Sequence, residues 1–442
     1  MGTIVGLDGT PILPDYTAAG QGRRVRNWRP ASSGPNASLA SLDTLRARAR
    51  ERGRNDALES QALRITATNE VGTGIKGIPQ GGGEQWRKRT RALWDAWIAE
   101  ADADGVLDWY GLQAMASRAR AESGEVFVRL RYRRAGDMET VPLQVQLLES
   151  DHCPTTLTEP TAVGRIVAGV EFGPWGQRSA YWMYPQHPGD GMYIGGDFAP
   201  PVRVPADQIL HIYDPMRPGQ VRGLPDAVSA LFAMRALDDT QDAVLERTRI
   251  AALITAIITR QPGADVMGAS ETGEQSDDGV PEVGLEPGTT QYLEEGESAQ
   301  FPNLPDMGTQ YPEFLRAQML SICAARGIPY ELLVGDMRGV SDRALRVIIN
   351  EYRRRVEQRQ WLVLIPQLCS RVWRAWLDQA VLSGIIDAPG YDEPTRRADY
   401  RRILWVPQGW PYMHPVQDVQ AAETAITARL TSRDDVIRSR GD

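Results

Sequence analysis

The residues of this chain that could do chemistry are arginines and carboxylates placed close together in one short segment. Arg338 and Arg343 each stand beside an acid, Asp336 and Asp342 respectively. Arginine binds phosphate through a planar fork of N–H donors, and a neighbouring carboxylate competes for those donors. A Gly-bearing loop between two helices is a usual place for contacts that must move, and these acids would weaken any contact that the arginines make with an anion. The candidate residues of this segment are Gly335, Asp336, Arg338, Gly339, Ser341, Asp342 and Arg343.

A second charged group lies in a predicted helix from about Pro225 to Arg260. An apolar stripe comes first in this helix and is predicted to be buried. Acids and arginines follow on both flanks, which suits a ring in which each copy pairs with its neighbour. The resemblance described below implies that these charges line or brace a channel, although intersubunit or surface ion pairs explain any single arginine equally well. The stripe comprises Val228, Leu231, Phe232 and Met234. The charged candidates are Arg235, Asp238, Asp239, Asp242, Glu246, Arg247 and Arg249, with Arg316 from a later helix.

The third group is acidic and contains no cation. Between Arg260 and Arg316 stand twelve acidic residues and no lysine or arginine. This asymmetry predicts an exposed acidic protrusion, with a hairpin that turns at Glu295-Gly296. Residues 268–281 could be ordered or could be a disordered loop. The acidic candidates of the protrusion are Glu282, Glu286, Glu294, Glu295 and Glu297, and the resemblance described below implies a docking role for them.

Motifs for catalysis are absent from the sequence. It contains no phosphate loop, no zinc-protease helix, no serine nucleophile motif and no paired CxxC. The adjacent acids Asp238 and Asp239 diverge by about 100° on a helix, so they do not form a two-carboxylate site by themselves. His152, His187 and His211 are interpreted as structural histidines. We expect no enzyme activity, no metal and no cofactor.

Composition indicates a folded protein of two or three lobes. The chain has 442 residues, 42% of them hydrophobic and 24% charged, with a net charge of −8. Its longest apolar run is too short to cross a bilayer, and the three cysteines lack metal spacing. We expect a cytosolic site of synthesis, no membrane contact and reduced thiols.

The periodicity predicts an α+β protein that is mainly helical. Helical patterns cover residues 39–68 and 84–122, whereas residues 124–213 alternate as an antiparallel sheet with a polar face. Within that sheet one strand is basic, and its simplest interpretation is a solvated face. The basic residues of this strand are Arg129, Arg131, Arg133 and Arg134.

Residues 311–384 form two helical patterns around a short break. The first pattern ends at Gly327, which favours a left-handed cap, and Pro329 blocks re-entry. The second begins at a cap by Ser341 or Asp342 and continues to about Leu382, with a kink expected at Pro366. Its charged face comprises Arg343, Arg346, Arg353, Arg354, Arg355 and Arg359. The predicted buried faces comprise Phe314, Leu315, Met319, Ile322 and Cys323 in the first helix, and Leu345, Ile348, Ile349, Tyr352 and Val356 in the second.

A family resemblance rests on this segment. The string GIPYELLVGDMRGVSDRALRVIINEYRRRVE, which begins at Gly327, resembles the signature of lambda-like bacteriophage portal proteins. Two further strings match in the same order, one from Trp86 to Gln113 and one from Pro287 to Phe301. Several separated matches in order are more specific than any single motif.

The resemblance implies a portal fold with an antiparallel-sheet wing, a helical stem, an acidic clip, a long kinked helix and a short helical crown, assembled as a ring of about twelve copies. The implied regions are an N-terminal arm (1–38), the wing (39–223), a stem helix (224–260), the clip (261–310), a second stem helix (311–327), a tunnel loop (328–342), the long kinked helix (343–384), and a wing return with a short crown (385–442).

The implied function is a channel at one capsid vertex, through which double-stranded DNA is packaged and ejected. The implied partners are non-specific double-stranded DNA, the terminase large subunit, the major capsid or scaffold protein, and head-completion or tail adaptor proteins. The chain would act in the virion and assemble in the host cytoplasm. A DNA-packaging nuclease or ATPase is the alternative, and a non-viral helical scaffold is a third hypothesis.

Overall fold

The computed structural model describes residues 33–190, 199–253, 257–260, 297–300, 311–410 and 415–438. These residues form an α+β fold that is mainly helical, as the periodicity predicts. The α-helices are α1 (Leu42–Asn55), α2 (Ala57–Glu70), α3 (Glu84–Trp97), α4 (Trp109–Ser123), α5 (Leu231–Leu253), α6 (Tyr311–Arg326), α7 (Tyr330–Leu333), α8 (Asp342–Arg359), α9 (Ser370–Leu382), α10 (Pro394–Tyr400), α11 (Pro415–Thr427) and α12 (Arg433–Arg438).

The strands pair antiparallel in four separate sheets. They are β1 (Lys76–Pro79), β2 (Glu125–Tyr132), β3 (Leu143–Leu148), β4 (Glu159–Pro160), β5 (Arg165–Val167), β6 (Val170–Phe172), β7 (Arg178–Met183), β8 (Val202–Pro205), β9 (Ile209–Tyr213), β10 (Ile257–Arg260), β11 (Glu297–Gln300) and β12 (Ile403–Val406). Their orders are β3-β2-β9, β4-β5-β6-β7-β8, β1-β12 and β10-β11.

The chain divides into two compact units. The first comprises residues 1–44, 151–206 and 214–223, and the second comprises 45–150, 207–213 and 224–442. The region predicted as one wing, residues 39–223, is therefore shared between both units. The first unit contains the five-stranded sheet, within which the buried Arg222 donates to the backbone oxygens of Cys153 and Ala168.

Tryptophans dominate the core of the second unit. Five of them are almost completely buried, and their ring centroids lie 4.9 to 6.4 Å apart. One face of the β3-β2-β9 sheet packs in the same core through Val126, Val128 and Leu130. This packing ties the sheet to helices from both ends of the chain. The five residues are Trp94, Trp97, Trp109, Trp373 and Trp376.

The long helical segment keeps its predicted limits but changes geometry in the middle. Ser341 caps α8 by accepting the N–H of Ala344 at 3.3 Å, and Gly327 has a φ of 64° after α6. Around Pro366 the chain forms a π-helix, Gln360–Cys369, between α8 and α9. Proline lacks the N–H that a regular α-helix needs at this point, and the wider π turn is a known way to absorb such a break.

The stem helix is shorter than predicted. It spans Leu231–Leu253 rather than 224–260, because turns occupy residues 226–230 and Ile257–Arg260 is a strand. The β-branched composition of that end favours extended structure. This strand pairs with Glu297–Gln300, which is the second half of the predicted hairpin; the first half lies outside the described residues.

Two predicted core residues are exposed. Phe232 is 86% exposed and Phe314 is 45% exposed. The buried residues of α5 are Met234 and Leu237, which pack with Ala230 from the turn before the helix. Phe232 lies two residues from Met234, on the opposite side of the helix. No described helix is long and apolar enough to cross a membrane.

Candidate functional site

The loop between α7 and α8 presents Arg338 to solvent, whereas the Asp336 side chain is only 12% exposed. Gly335 and Gly339 adopt φ values of 77° and 75°, and no atoms stand close to the side-chain position of either. These left-handed angles favour glycine. Between them Arg338 is 89% exposed in its side chain. The segment is therefore an exposed turn with a glycine at each end.

Arg338 is held by an acid of its own loop. Its Nε donates to Asp336 Oδ1 at 2.8 Å and its Nη2 to Oδ2 at 2.9 Å. The backbone N–H of Arg338 also donates to Asp336, at 3.1 Å. These bonds from Arg338 hold the pKa of the Asp336 carboxyl well below its usual range. An incoming anion must compete with Asp336 for the same N–H groups.

Tyr330 links this pair to Arg316 of α6. The Tyr330 hydroxyl donates to Asp336 Oδ2 at 3.4 Å, and the Arg316 guanidinium lies 5.4 Å from the centroid of the Tyr330 ring. Arg316 of α6 therefore lies beside Tyr330, and its predicted role with the charges of the stem helix stays a prediction. The sequence had grouped it with that helix.

Asp342 does not pair with Arg343 as the spacing suggested. Its carboxylate accepts from Arg346 at 2.8 Å, one helical turn further on. The i,i+4 positions share a helix face, whereas adjacent residues diverge. Arg343 itself is exposed, and the role of Asp342 in limiting its contact with phosphate stays a prediction.

The stem-helix charges point to separate partners. Asp239 pairs with Arg235 at 3.0 Å, and Asp238 with Arg52 of α1. These adjacent acids thus form no two-carboxylate site. Glu246 pairs with Arg249 at 3.7 Å. Between residues 241 and 249 all but one of the side chains of α5 are exposed, including Asp242, Arg247 and the apolar Leu245.

The acidic candidates fall largely outside the described residues. Glu282, Glu286, Glu294 and Glu295 lie there, and for Glu297 the structure gives only its place in β11.

Sequence reasoning missed a buried ion cluster that joins α2, α4 and α8. Arg120 donates to Glu70 at 3.0 Å and to Asp226 at 3.2 Å, and Arg359 contacts the same two acids at 3.2 and 3.0 Å. Ser117 adds a hydrogen bond to Glu70 at 2.5 Å. Arg359 had been assigned to an exposed charged face. Only the acid-and-base spacing within α2 and α4 hinted at such a cluster, and that signal is common.

Glu59 and Arg326 form a second buried pair beside this cluster. Glu59 Oε2 lies 3.0 Å from Arg326 Nε, and both side chains are 1% exposed. Burial raises the pKa of Glu59 to about 7, although Arg326 lowers it. For Asp226 burial also raises the pKa, but Arg120 and Arg359 outweigh it and the net shift is downward. The pairs join α2, α4, α6 and α8 through charge.

Comparisons with known proteins agree with this architecture. The family described as "Phage portal protein, lambda family" matches residues 21–360. A "Probable portal protein" of Halomonas phage phiHAP-1 is 26% identical over 96% of this chain and 83% of its own length. "Portal protein B" of Escherichia phage lambda is 23% identical over 100% of this chain and 90% of its own length.

A solved structure has a similar fold. A chain from the "Neck of empty GTA particle computed with C6 symmetry" superposes with a TM-score of 0.51 at 17% identity, covering 93% of this chain and 95% of that chain.

Proposed function

The chain belongs to the lambda family of phage portal proteins and is a portal protein of the phage head–tail connector, and we propose that its copies close into a ring through which double-stranded DNA is packaged and ejected. By family analogy the ring has about twelve copies. Identical subunits that join through head-to-tail interfaces form a closed ring when the rotation between neighbours closes. The observation that carries the channel role is the exposed, self-paired arginine of the loop between α7 and α8.

The chemistry of that loop suits a conduit. Affinity for DNA grows with the number of cationic phosphate contacts. A surface with many such contacts would stall a sliding duplex. Arg338 offers a fork of donors, but Asp336 occupies it between contacts. With a net charge of −8, the chain should let DNA pass with only transient local contacts. Arg343 would make a second transient contact.

The stem helix supports the ring. An exposed helix with acids and arginines, together with Leu245 and Phe232, is a suitable surface for the same helix region of a neighbour. Single surface ion pairs add little stability, so the pairs would set register and the apolar residues would supply the burial. Arg235 and Asp239 would then exchange partners across the interface.

We propose the remaining partners from the family. The acidic residues 261–310 would dock the terminase large subunit and later the head-completion or tail adaptor proteins, and the wing would meet the major capsid or scaffold protein. No enzyme activity is proposed. The protein would assemble in the host cytoplasm and act at the portal vertex of the virion.

Particle images of the purified full chain test the ring. We expect closed rings of about twelve subunits around a central hole, with a native mass to match. A stable monomer or dimer at micromolar concentration, with the 334–341 loop packed in its own core, would contradict the proposal.

Arg338→Glu tests the channel loop. We expect intact rings and a loss of packaged or retained DNA, because the substitution places repulsive charge where phosphates pass. Arg396→Glu is the matched control, since Arg396 is equally an exposed arginine beside an acid, Glu393, at 3.2 Å. If both variants package normally, the loop has no role in the channel.

A further inference from the structure

A basic row on the wing sheet has no counterpart in the channel role. Alternate residues of a strand lie on one face, so Arg129 and Arg131 of β2 share a side, opposite the core residues Val126, Val128 and Leu130. Arg133, one residue beyond β2, continues this alternation, and Arg134 follows it at the end of the row. Exposure rises along the row. Arg129 and Arg131 are half-buried, whereas Arg133 and the following Arg134 are exposed. The row thus leads from the sheet out to solvent.

Amides, not carboxylates, face these arginines. Arg131 Nε donates to Gln146 Oε1 at 2.9 Å, and Arg133 Nε donates to Gln144 Oε1 at 2.8 Å. In the described part of the chain none of the row's four arginines forms an ion pair with a carboxylate. Opposite charges across strands would stabilise the sheet, so glutamate at 144 and 146 would be the stabilising choice. Glutamine holds the guanidinium groups without adding a negative charge, and the nearest acid, Asp104, acts on Arg131 from behind Gln146 without forming an ion pair with it.

The two amides are themselves fixed from behind. Gln144 Nε2 donates to the backbone oxygens of Glu100 and Asp102 at 3.1 and 3.0 Å. Gln146 Nε2 donates to Asp104 Oδ1 at 3.1 Å. These donations orient each Oε1 toward its arginine. The row is therefore positioned by a supporting layer, as a binding site is and a solvated face need not be.

Crowding of like charge along the row has a cost. Burial lowers the pKa of Arg131, and the neighbouring Arg129 and Arg133 lower it further. Such mutual repulsion opposes folding, and perturbed charges of this kind are common at functional sites. A bound polyanion would relieve it.

We propose that this row is a second binding surface for the sugar–phosphate backbone of double-stranded DNA, outside the channel. Alternate residues of a strand are about 6.6 Å apart, close to twice the 3.4 Å axial rise per phosphate on one DNA strand. A duplex offers phosphates at this regular spacing whatever its sequence, whereas an acidic peptide would need an acid at every second position. The contacts are to phosphate alone and therefore carry no sequence preference.

Covalently closed circular DNA tests this proposal separately from the channel, because it has no end to thread through a closed ring. Binding to rings of the full chain is measured across a salt series. The double variant Arg131→Gln/Arg133→Gln should weaken binding and reduce the log–log salt slope by about 0.9 for each phosphate that is no longer neutralised. The matched control Arg396→Gln/Arg402→Gln removes two exposed arginines that pair with Glu393 and Asp399, and should leave the slope unchanged.

A second variant tests the role of the amides. Gln146→Glu adds a carboxylate without removing any arginine, and it should weaken binding of circular DNA in the same direction. Ring images check that each variant still assembles. The proposal is overturned if wild-type rings do not bind circular DNA, if the row and control variants have equal slopes, or if Gln146→Glu has no effect.

Two further measurements separate the possible causes. Arg338→Glu should not change binding of circular DNA, so a failed channel role would appear only in packaging. Polyglutamate of matched total charge should compete more weakly than DNA. If polyglutamate binds the row more tightly, the partner is an acidic protein segment and the DNA assignment is wrong.

Discussion

Arginine–carboxylate pairs occur in two regions of this protein with opposite surroundings. In the cluster of Glu70, Arg120 and Asp226 the side chains are almost wholly buried. In the loop, Arg338 is exposed and its partner Asp336 is two residues away. The same chemical pair therefore occurs once as part of an interior and once as a feature of the surface.

The surroundings decide what each pair can do. Burying a charge carries a large desolvation cost, so a buried pair persists only when both partners remain, and removal of one leaves an uncompensated charge. An exposed pair adds little to stability and is screened by salt. It can exchange its partner for a passing phosphate. The buried cluster would hold helices in register while the loop pair makes and breaks contacts.

Removal of Arg120 should produce the largest effect. Arg120→Met leaves Glu70 and Asp226 short of a partner, and we expect a loss of about 3–5 kcal/mol in the free energy of unfolding. Chemical denaturation of the purified chain measures this. The matched control is Arg354→Met, whose exposed pair with Glu351 at 3.4 Å should cost at most about 1 kcal/mol. Equal losses would remove the distinction between the two regions.

Two glycines extend the comparison to the backbone. Gly327→Ala and Gly335→Ala each place a side chain at positive φ, which costs about 1–2 kcal/mol. At Gly327 the new Cβ would also meet the Arg355 guanidinium, whereas nothing stands near Gly335. Thermal unfolding should therefore show the larger loss for Gly327→Ala. A larger loss at Gly335 would mean that the loop is packed.

The buried pair beside the cluster predicts a pH dependence. Burial raises the pKa of Glu59 from 4.5 in its ordinary state to about 7, so the folded chain binds this proton more tightly than the unfolded chain. Its contribution to stability is present below about pH 4.5 and is lost as the pH rises through about 7.

Glu59→Gln removes this titration. The melting temperature of the variant, taken relative to that of the unchanged protein, should rise between pH 5 and 8. Glu351→Gln, at an exposed site, provides the control and should show no trend. A difference that stays constant over this range for Glu59→Gln would show that Glu59 does not titrate there.

The smallest effect on stability is expected in the loop. Asp336→Asn should lower the melting temperature only slightly, because Arg338 is exposed and asparagine keeps the volume of the largely buried Asp336 side chain and can still accept from the Tyr330 hydroxyl. It should raise the affinity of the rings for linear DNA at low salt, since Arg338 loses its competing acceptor. Asp342→Asn is the comparison, and it should change DNA affinity less because Asp342 pairs with Arg346. A large drop in melting temperature for Asp336→Asn would mean that the loop pair is structural.

Much of the local structure follows from short-range patterns. The ends of α6 and α8 are set by Gly327 and Ser341 through backbone conformation and capping. The antiparallel strands follow from alternation. The predicted stem helix was too long because a short apolar run at its end is compatible with either a helix or a strand. Pairing of this run with Glu297–Gln300 makes it a strand.

The candidate site was predicted only in part. The pairing of Asp336 with Arg338 lies within one turn of the chain and could be inferred from spacing. The exposure of Phe232 and the place of Arg316 beside Tyr330 depend on which helix faces meet. Such choices are made between elements, so no local pattern contains them.

By itself the sequence determined the helices, their caps, the glycine-bounded loop and the family. Only the tertiary structure decided which charges are buried together. Glu70 and Arg359, for example, bond across 289 residues of chain. Local patterns act through neighbours along the backbone, whereas the desolvation of a charge depends on everything folded around it. For that reason arginine and carboxylate form a buried ion cluster between helices in one region and a pair with a solvent-exposed arginine in another.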